Sequence, residues 1–323
     1  MHKFCKTYNV NQTLYPNLFS ILKSLPDKWI FSDKHNPVLK HPGAILNRAA
    51  NEIVQSFSKV LKALKMISIT DGSNDMIDGT NNLLGEMTNL FGHFDSFQDE
   101  NYIILKTLSP IPEIDKAPGE KWLSKWLSKN GYKCGSDYLN RTSNIQKLID
   151  CFSNRLKHAN QRLNFVCAET QVIKIYGFFI EELKGMEISG IYQPIPKEQF
   201  NVTIAISFNS ILKILLLCFY ELCDSLEKTI KKHIKNLYSE YFVRNKIVKH
   251  NDDFFSIIDM IAGIEEYFYP YEYKKFCRII KKEKAYIISY PNSKKIPYST
   301  QLKVSATYKG DGYTQNFNLP FFG

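Results

Sequence analysis

The run Ser207-Phe-Asn-Ser-Ile-Leu-Lys-Ile-Leu-Leu-Leu-Cys-Phe-Tyr-Glu-Leu-Cys-Asp224 decides how the chain must fold. Ser207 or Asn209 can cap a helix, because a short side-chain oxygen can accept one of the orphan N–H groups of a first turn. From there Leu215, Phe219, Leu222, Leu226, Ile230, Ile234, Leu237 and Tyr241 advance by three or four residues. One long helix is predicted, with an apolar seam over 211–243 that calls for a partner helix along its length. The strongest apolar stretch, Ile211 to Cys223, is interrupted by Lys213 and Glu221. It is shorter than the roughly 20 residues a membrane span needs, so no membrane association is expected.

Upstream of that helix the period changes. Val172, Ile173, Ile175, Tyr176, Phe178 and Phe179, and then Phe200 to Ser207, read as strands, forming a β insertion over 166–207. Before the insertion, Tyr138 to Phe165 is predicted as a helix whose apolar stripe is Ile145, Leu148, Ile149, Phe152, Leu156, Ala159 and Leu163. Glu120 to Asn130 reads as a shorter helix ending at Gly131, and Pro110, Pro112 and Pro118 mark a linker before it. Ala44 to Ile67 carries Ile53, Phe57, Val60, Leu61 and Leu64 at helical spacing. Thr70 to Asn82, rich in Asp, Asn, Gly and Ser, reads as a solvated loop. Its acids fail the EF-hand register, because Met76 stands where glycine is needed and Asn82 where the bidentate Glu is needed.

Downstream, Asp253 to Tyr267 is the last predicted helix and Pro270 follows it. Ala285–Tyr290, Gln301–Tyr308 and Tyr313–Leu319 then read as strands, with Lys309-Gly-Asp-Gly312 as a hairpin turn. The fold class expected is α+β: a mainly helical body with an inserted small antiparallel sheet and a β-rich C-terminal tail. The divisions are 1–135, helical with long loops; 136–269, a helical core carrying the insertion; and 270–323, the tail.

Of 323 residues, 44% are hydrophobic and 23% charged, the balance of a folded chain rather than a disordered one. The net charge of +10 favours polyanionic partners. Seven cysteines without a C-x-x-C pair suit reduced thiols, and the first residues lack an apolar signal core, so a cytoplasmic location is expected. Neither a Gly-rich phosphate loop, a G-x-S-x-G nor an H-E-x-x-H occurs, and neither cofactor nor metal is called for.

Two basic stretches hold a histidine. On the predicted 138–165 helix, Asn154, Arg155, His158 and Arg162 fall on one arc away from the apolar stripe. The spacing of His158, three after Arg155 and four before Arg162, lets these side chains converge on a phosphate. The second stretch, Arg244-Asn-Lys-Ile-Val-Lys-His250, ends the long helix. Extending the seam places Arg244 at the azimuth of Leu215 and Phe219, where a guanidinium must find an anion, a carbonyl or water.

Arg244-Asn245, followed five residues after the arginine's neighbour by His250, resembles the Arg-Asn…His motif of the HEPN superfamily. These are α-helical domains, many of them metal-independent ribonucleases of toxin–antitoxin, CRISPR and phage-defence systems. The resemblance covers seven residues. It implies Arg244 and His250 as a catalytic pair with Asn245 in support, and RNA as the substrate. Asn154, Arg155, His158, Arg162 and Lys249 would then contact the phosphates. Ser153-Asn154-Arg-Leu-Lys-His158 could be a degenerate copy, with Ser153 in place of the arginine. HEPN sites are typically composite, so the partner motif would come from Arg155 and His158 or from the same helix of a second subunit. The competing expectation is a non-catalytic scaffold that dimerises or docks a partner through the 211–243 seam.

Overall fold

A computed structural model describes residues 3–10, 14–27, 31–33, 36–70, 75–108, 123–158, 162–181, 191–192, 205–233, 252–299, 302–307 and 314–316. In chain order the elements are β1 (Phe4–Asn9), α1 (Asn17–Lys23), β2 (Phe31–Asp33), β3 (Asn36–Lys40), α2 (Pro42–Thr70), α3 (Asp75–Leu108), α4 (Leu123–Lys129) and α5 (Lys133–His158). Then come β4 (Arg162–Glu169), β5 (Lys174–Glu181), β6 (Ile191–Tyr192), β7 (Ile206–Ser207), α6 (Phe208–His233) and α7 (Asp252–Gly263). A 3-10 turn at Pro270–Lys274 leads to β8 (Phe276–Lys282), β9 (Ala285–Asn292), β10 (Lys303–Thr307) and β11 (Thr314–Asn316). The architecture is mixed α+β with a mainly helical body and antiparallel sheets.

The helix α6 is the axis of the body. Every residue from Ser210 to Tyr220 is buried, including Lys213, so this part of the helix is packed all round. Ser207 is its N-cap: the backbone N–H of Ser210 donates to Ser207 Oγ at 3.2 Å. From Leu215 to Ile230 the seam is filled by the chain's own elements. Phe219 meets Phe97 of α3 at 5.5 Å and Phe254 of α7 at 5.5 Å, and Tyr220 meets Tyr8 of β1 at 4.1 Å. The partner that the sequence calls for is therefore found within the same chain over this part of the helix. Residues 234–250 lie outside the described residues.

The helix α3 packs against α6, and with α2, which in turn packs on α1 and α7, it forms a long hairpin. Phe57 and Phe94 meet edge to face at 5.9 Å, and Arg48 pairs with Glu100 across its outer side. The expectation of a solvated loop over Thr70–Asn82 is corrected here, since Asp75 to Asn82 form the first turns of α3. Turn-favouring residues cost helix stability individually by less than about 1 kcal/mol, and α3 recovers that cost by burying Leu83, Leu84, Met87, Leu90, Phe91, Phe94 and Phe97. The short helix α4 ends as its glycine requires. Gly131 takes φ +81, Tyr132 N–H donates to Leu127 O at 2.8 Å, and Gly131 N–H donates to Ser128 O at 3.2 Å, the Schellman pattern.

The strands form two main sheets and a small hairpin, β2–β3. One sheet has the order β11-β10-β4-β5-β6, with β7 also pairing β5; in its register Phe165 faces Phe178 and Val304 faces Ala168. The other has the order β1-β9-β8. The C-terminal strands thus divide: β10 and β11 extend the inserted sheet, while β8 and β9 join the N-terminal β1. One continuous apolar core runs from Tyr8 to Tyr290. On β5, Phe178 and Phe179 are buried, so these rings pack rather than offer a stacking face.

Candidate functional site

Of the residues that the sequence singles out, Arg244, Asn245, Lys249 and His250 lie outside the described residues. Asn154 is exposed on α5, with Arg155 and His158 on the same last turns of the helix. Arg162 is not on that helix. It opens β4, opposite Glu181 of β5, so the helical spacing between His158 and Arg162 does not hold and the expected arc ends with α5. Leu163 and Phe165 fit a strand's period as well as a helix's, which is why periodicity alone extended the helix too far. Between the two, Lys157 pairs with Asp95 of α3 at 2.7 Å.

The helices α5 and α6 run antiparallel. At the start of α5, Asp137 gathers the end of α6: Lys232 donates to it at 3.1 Å, and His233 Nε2 lies 3.3 Å away. Arg141 of α5 donates to the same carboxylate at 3.1 Å. Burial by itself would raise that carboxyl, but hydrogen bonds from Lys232 and Arg141 hold it below its ordinary range. At the other end of the pair, Phe152 of α5 meets Phe178, which meets Phe208 at the start of α6. The described cationic residues of the two helix ends are therefore at opposite ends of the body.

A cavity of 590 Å³ opens beside Asp137. Its floor is one face of α6, with Glu221, Asp224, Ser225 and Lys228 at the spacing i, i+3, i+4 and i+7. One wall is Asp137, Asn140 and Arg141 of α5, and the other is the stretch Lys3–Lys6 at β1. A cavity of this size suits a small ligand or a few residues of an extended chain. Lys6 pairs with Asp224. Burial raises the Glu221 carboxyl to about 7, against the pull of Lys6 and Lys228. Lys228 acts on Glu221, and the lining as a whole holds four cations, Lys3, Lys6, Arg141 and Lys228, against the three carboxylates of Asp137, Glu221 and Asp224, a small surplus of positive charge.

Both charges that interrupt the apolar run of α6 have structural positions. Lys213 is buried; its ammonium donates to Ile264 O at 2.9 Å and lies 5.7 Å from the centre of the Phe268 ring, and burial lowers its pKa. Glu221 turns toward the cavity. These interruptions were visible in the sequence, but their destinations were not. The contribution of Lys6 was not legible at all, since its partner Asp224 lies more than two hundred positions away, and Lys3 reaches the cavity only through the pairing of β1 with β9. Among the described residues no cluster of three or more His, Cys, Asp and Glu side chains could hold a metal. No helix among them is long and apolar enough to cross a membrane.

Comparison with known proteins finds no family model, no curated protein and no solved structure that matches this chain.

Proposed function

We propose that this protein binds RNA and cleaves it without a metal, using Arg244 and His250 as its reacting pair. The observation that carries the reading is one of continuity. The final turn of α6 carries Lys231, Lys232 and His233, paired with Glu227 and Asp137, and the chain runs on from this basic turn into Arg244-Asn245…His250. The surplus of +10 supports a polyanionic substrate, since each neutralised phosphate releases counterions and favours binding.

In this mechanism the ribose 2′-hydroxyl attacks the adjacent phosphorus and the bond to the 5′-oxygen breaks. The 2′-hydroxyl proton leaves to a base, and the departing oxygen takes a proton from an acid. An imidazole both accepts and donates a proton near neutral pH, so His250 can serve either step. Arg244 stabilises the charge growing on the non-bridging oxygens, and Asn245 orients the ribose or the imidazole. The products are a 2′,3′-cyclic phosphate and a free 5′-hydroxyl.

The test is incubation with total RNA in EDTA, followed by end-group analysis. Cleaved RNA bearing 2′,3′-cyclic phosphate supports the reading, and intact RNA with the folded wild-type protein refutes cleavage. Binding is tested separately by titration at several salt concentrations. A steep fall of log K with log salt is expected, and salt-independent association would remove RNA as the partner.

A further inference from the structure

The strand β1 ends its sheet, with β9 on one side and no described strand on the other. Its inner face packs on α6, where Tyr8 meets Tyr220 and Lys6 meets Asp224. Successive strand side chains point to opposite faces. Yet the cavity is bordered by four consecutive residues, Lys3 to Lys6. Residues from both faces meet one cavity at a strand's margin or around its end, and the margin toward β9 is taken by pairing. The cavity therefore lies at the start of β1 beside its free margin, over the face of α6 that bears Ser225 and Lys228.

We propose that this edge accepts an extended acidic peptide segment by strand addition, with α6 as the floor and α5 as the far wall. On a free strand edge, alternate residues turn both N–H and C=O outward, ready for a partner strand. The bordering stretch is about 13 Å long at a strand's rise, enough to pair four residues. Backbone pairing supplies affinity, and the side chains that alternate toward the floor supply selectivity. The charge of the cleft fixes that selectivity. Arg141 and Lys6 are matched by Asp137 and Asp224 and Lys228 acts on Glu221, which leaves Lys3 as the surplus cation of the lining. Glu221, raised to about 7, carries only part of its charge near neutral pH. A strand with acidic side chains at every second position completes this arrangement. The proposal is independent of RNA cleavage.

The probe is a fluorescein-labelled nonapeptide of alternating Thr and Glu, titrated by anisotropy against the full chain. Saturable binding is expected, with slower hydrogen exchange of the backbone amides in 3–6. Residues two apart share both a face and an edge, so N-methylation of all Glu positions blocks one edge and N-methylation of all Thr positions blocks the other. One methylated peptide should lose at least tenfold in affinity and the other should keep it. Lys228→Glu should weaken the parent peptide tenfold, and Ser225→Trp, which fills the floor, should abolish binding, with both variants checked for folding by circular dichroism. The proposal is overturned by any of three results: no binding at millimolar peptide, equal binding of both methylated peptides, or equal binding of a Thr-Lys peptide.

Discussion

The ring of Tyr269 lies directly against Gly177. A β-carbon built on Gly177 would stand 2.7 Å from Tyr269 Cε2 and would overlap both the Tyr269 hydroxyl and the carbonyl oxygen of Ile206. The phenol donates to Val166 O at 3.1 Å, beside Gly177 in the register of β4 and β5. This contact holds the loop after α7 against the inserted sheet. Gly177→Ala must displace either the β7 backbone or a fully buried ring. It is expected to destabilise the protein by about 3 kcal/mol or more, whereas Gly85→Ala, where a β-carbon meets nothing, should be neutral or stabilising. Urea denaturation of the two variants checks the contrast. A Gly177→Ala protein as stable as wild type would mean that this close approach does not exist.

Stability should fall as pH rises from about 5 to 7. Glu272 is buried at the 3-10 turn, accepting the N–H of Tyr269 at 2.8 Å and the N–H of Ser207 at 3.3 Å. Burial raises its carboxyl from 4.5 to about 7. Between those values the native state holds a proton that the unfolded chain has released, so unfolding becomes easier as pH increases. The shift corresponds to about 3 kcal/mol across the window. Glu221 moves in the same direction, while Asp137, Asp259 and Glu266 are lowered and act in more acidic solution. Glu272→Gln, neutral at every pH, should remove about half of the slope measured by denaturant titration between pH 5 and 8, the rest coming from Glu221. An unchanged slope would show that Glu272 is ionised in the fold.

Asn101 of α3 donates from Nδ2 to the Tyr138 hydroxyl of α5 at 2.9 Å, and both side chains are fully buried. Tyr138→Phe removes the acceptor without removing the ring. An amide left without its partner in the interior costs about 2 kcal/mol. Asn101→Leu combined with Tyr138→Phe removes both halves and should cost less than the two single changes added together. A double-mutant cycle by thermal or urea denaturation measures this; strict additivity would mean that the hydrogen bond contributes nothing.

The helices with an unbroken apolar period could be read directly. α2, α5 and α6 coincide with Ile53, Phe57 and Val60, with Ile145, Leu148 and Phe152, and with Leu215, Phe219 and Leu222. Local chemistry also narrowed the cap of α6 to Ser207 or Asn209, of which Ser207 serves, and placed the Gly131 terminus, because each acts on backbone groups only a few residues away. What escaped depends on distant partners. β1 pairs with β9 across almost the whole chain, and β8 is a Lys-rich strand whose place is set by β9. Asp75–Asn82 has the composition of a loop and becomes helix as the first part of α3. The cleft was illegible for the same reason as β1: its walls come from residues 3–6, 137–141 and 221–228, brought together only by the fold. The motif residues 244–250 carry their meaning in sequence alone.

The chemical proposal separates binding from reaction. His250→Ala removes the proton-transfer group but leaves the cations, so RNA affinity should stay within about threefold while cleavage falls by a factor of about 100 or more. Arg244→Ala removes a charge that acts on the phosphate in both ground and transition states, so it should lower cleavage by a similar factor and also weaken binding. Arg244→Lys should recover binding better than cleavage, because an ammonium supplies charge without the planar fork of donors. Single-turnover rates and equilibrium titrations on the same RNA distinguish these cases. If His250→Ala cleaves at the wild-type rate, the imidazole is not part of the reaction. If Arg244→Ala binds and cleaves unchanged, the resemblance at 244–250 has no chemical content.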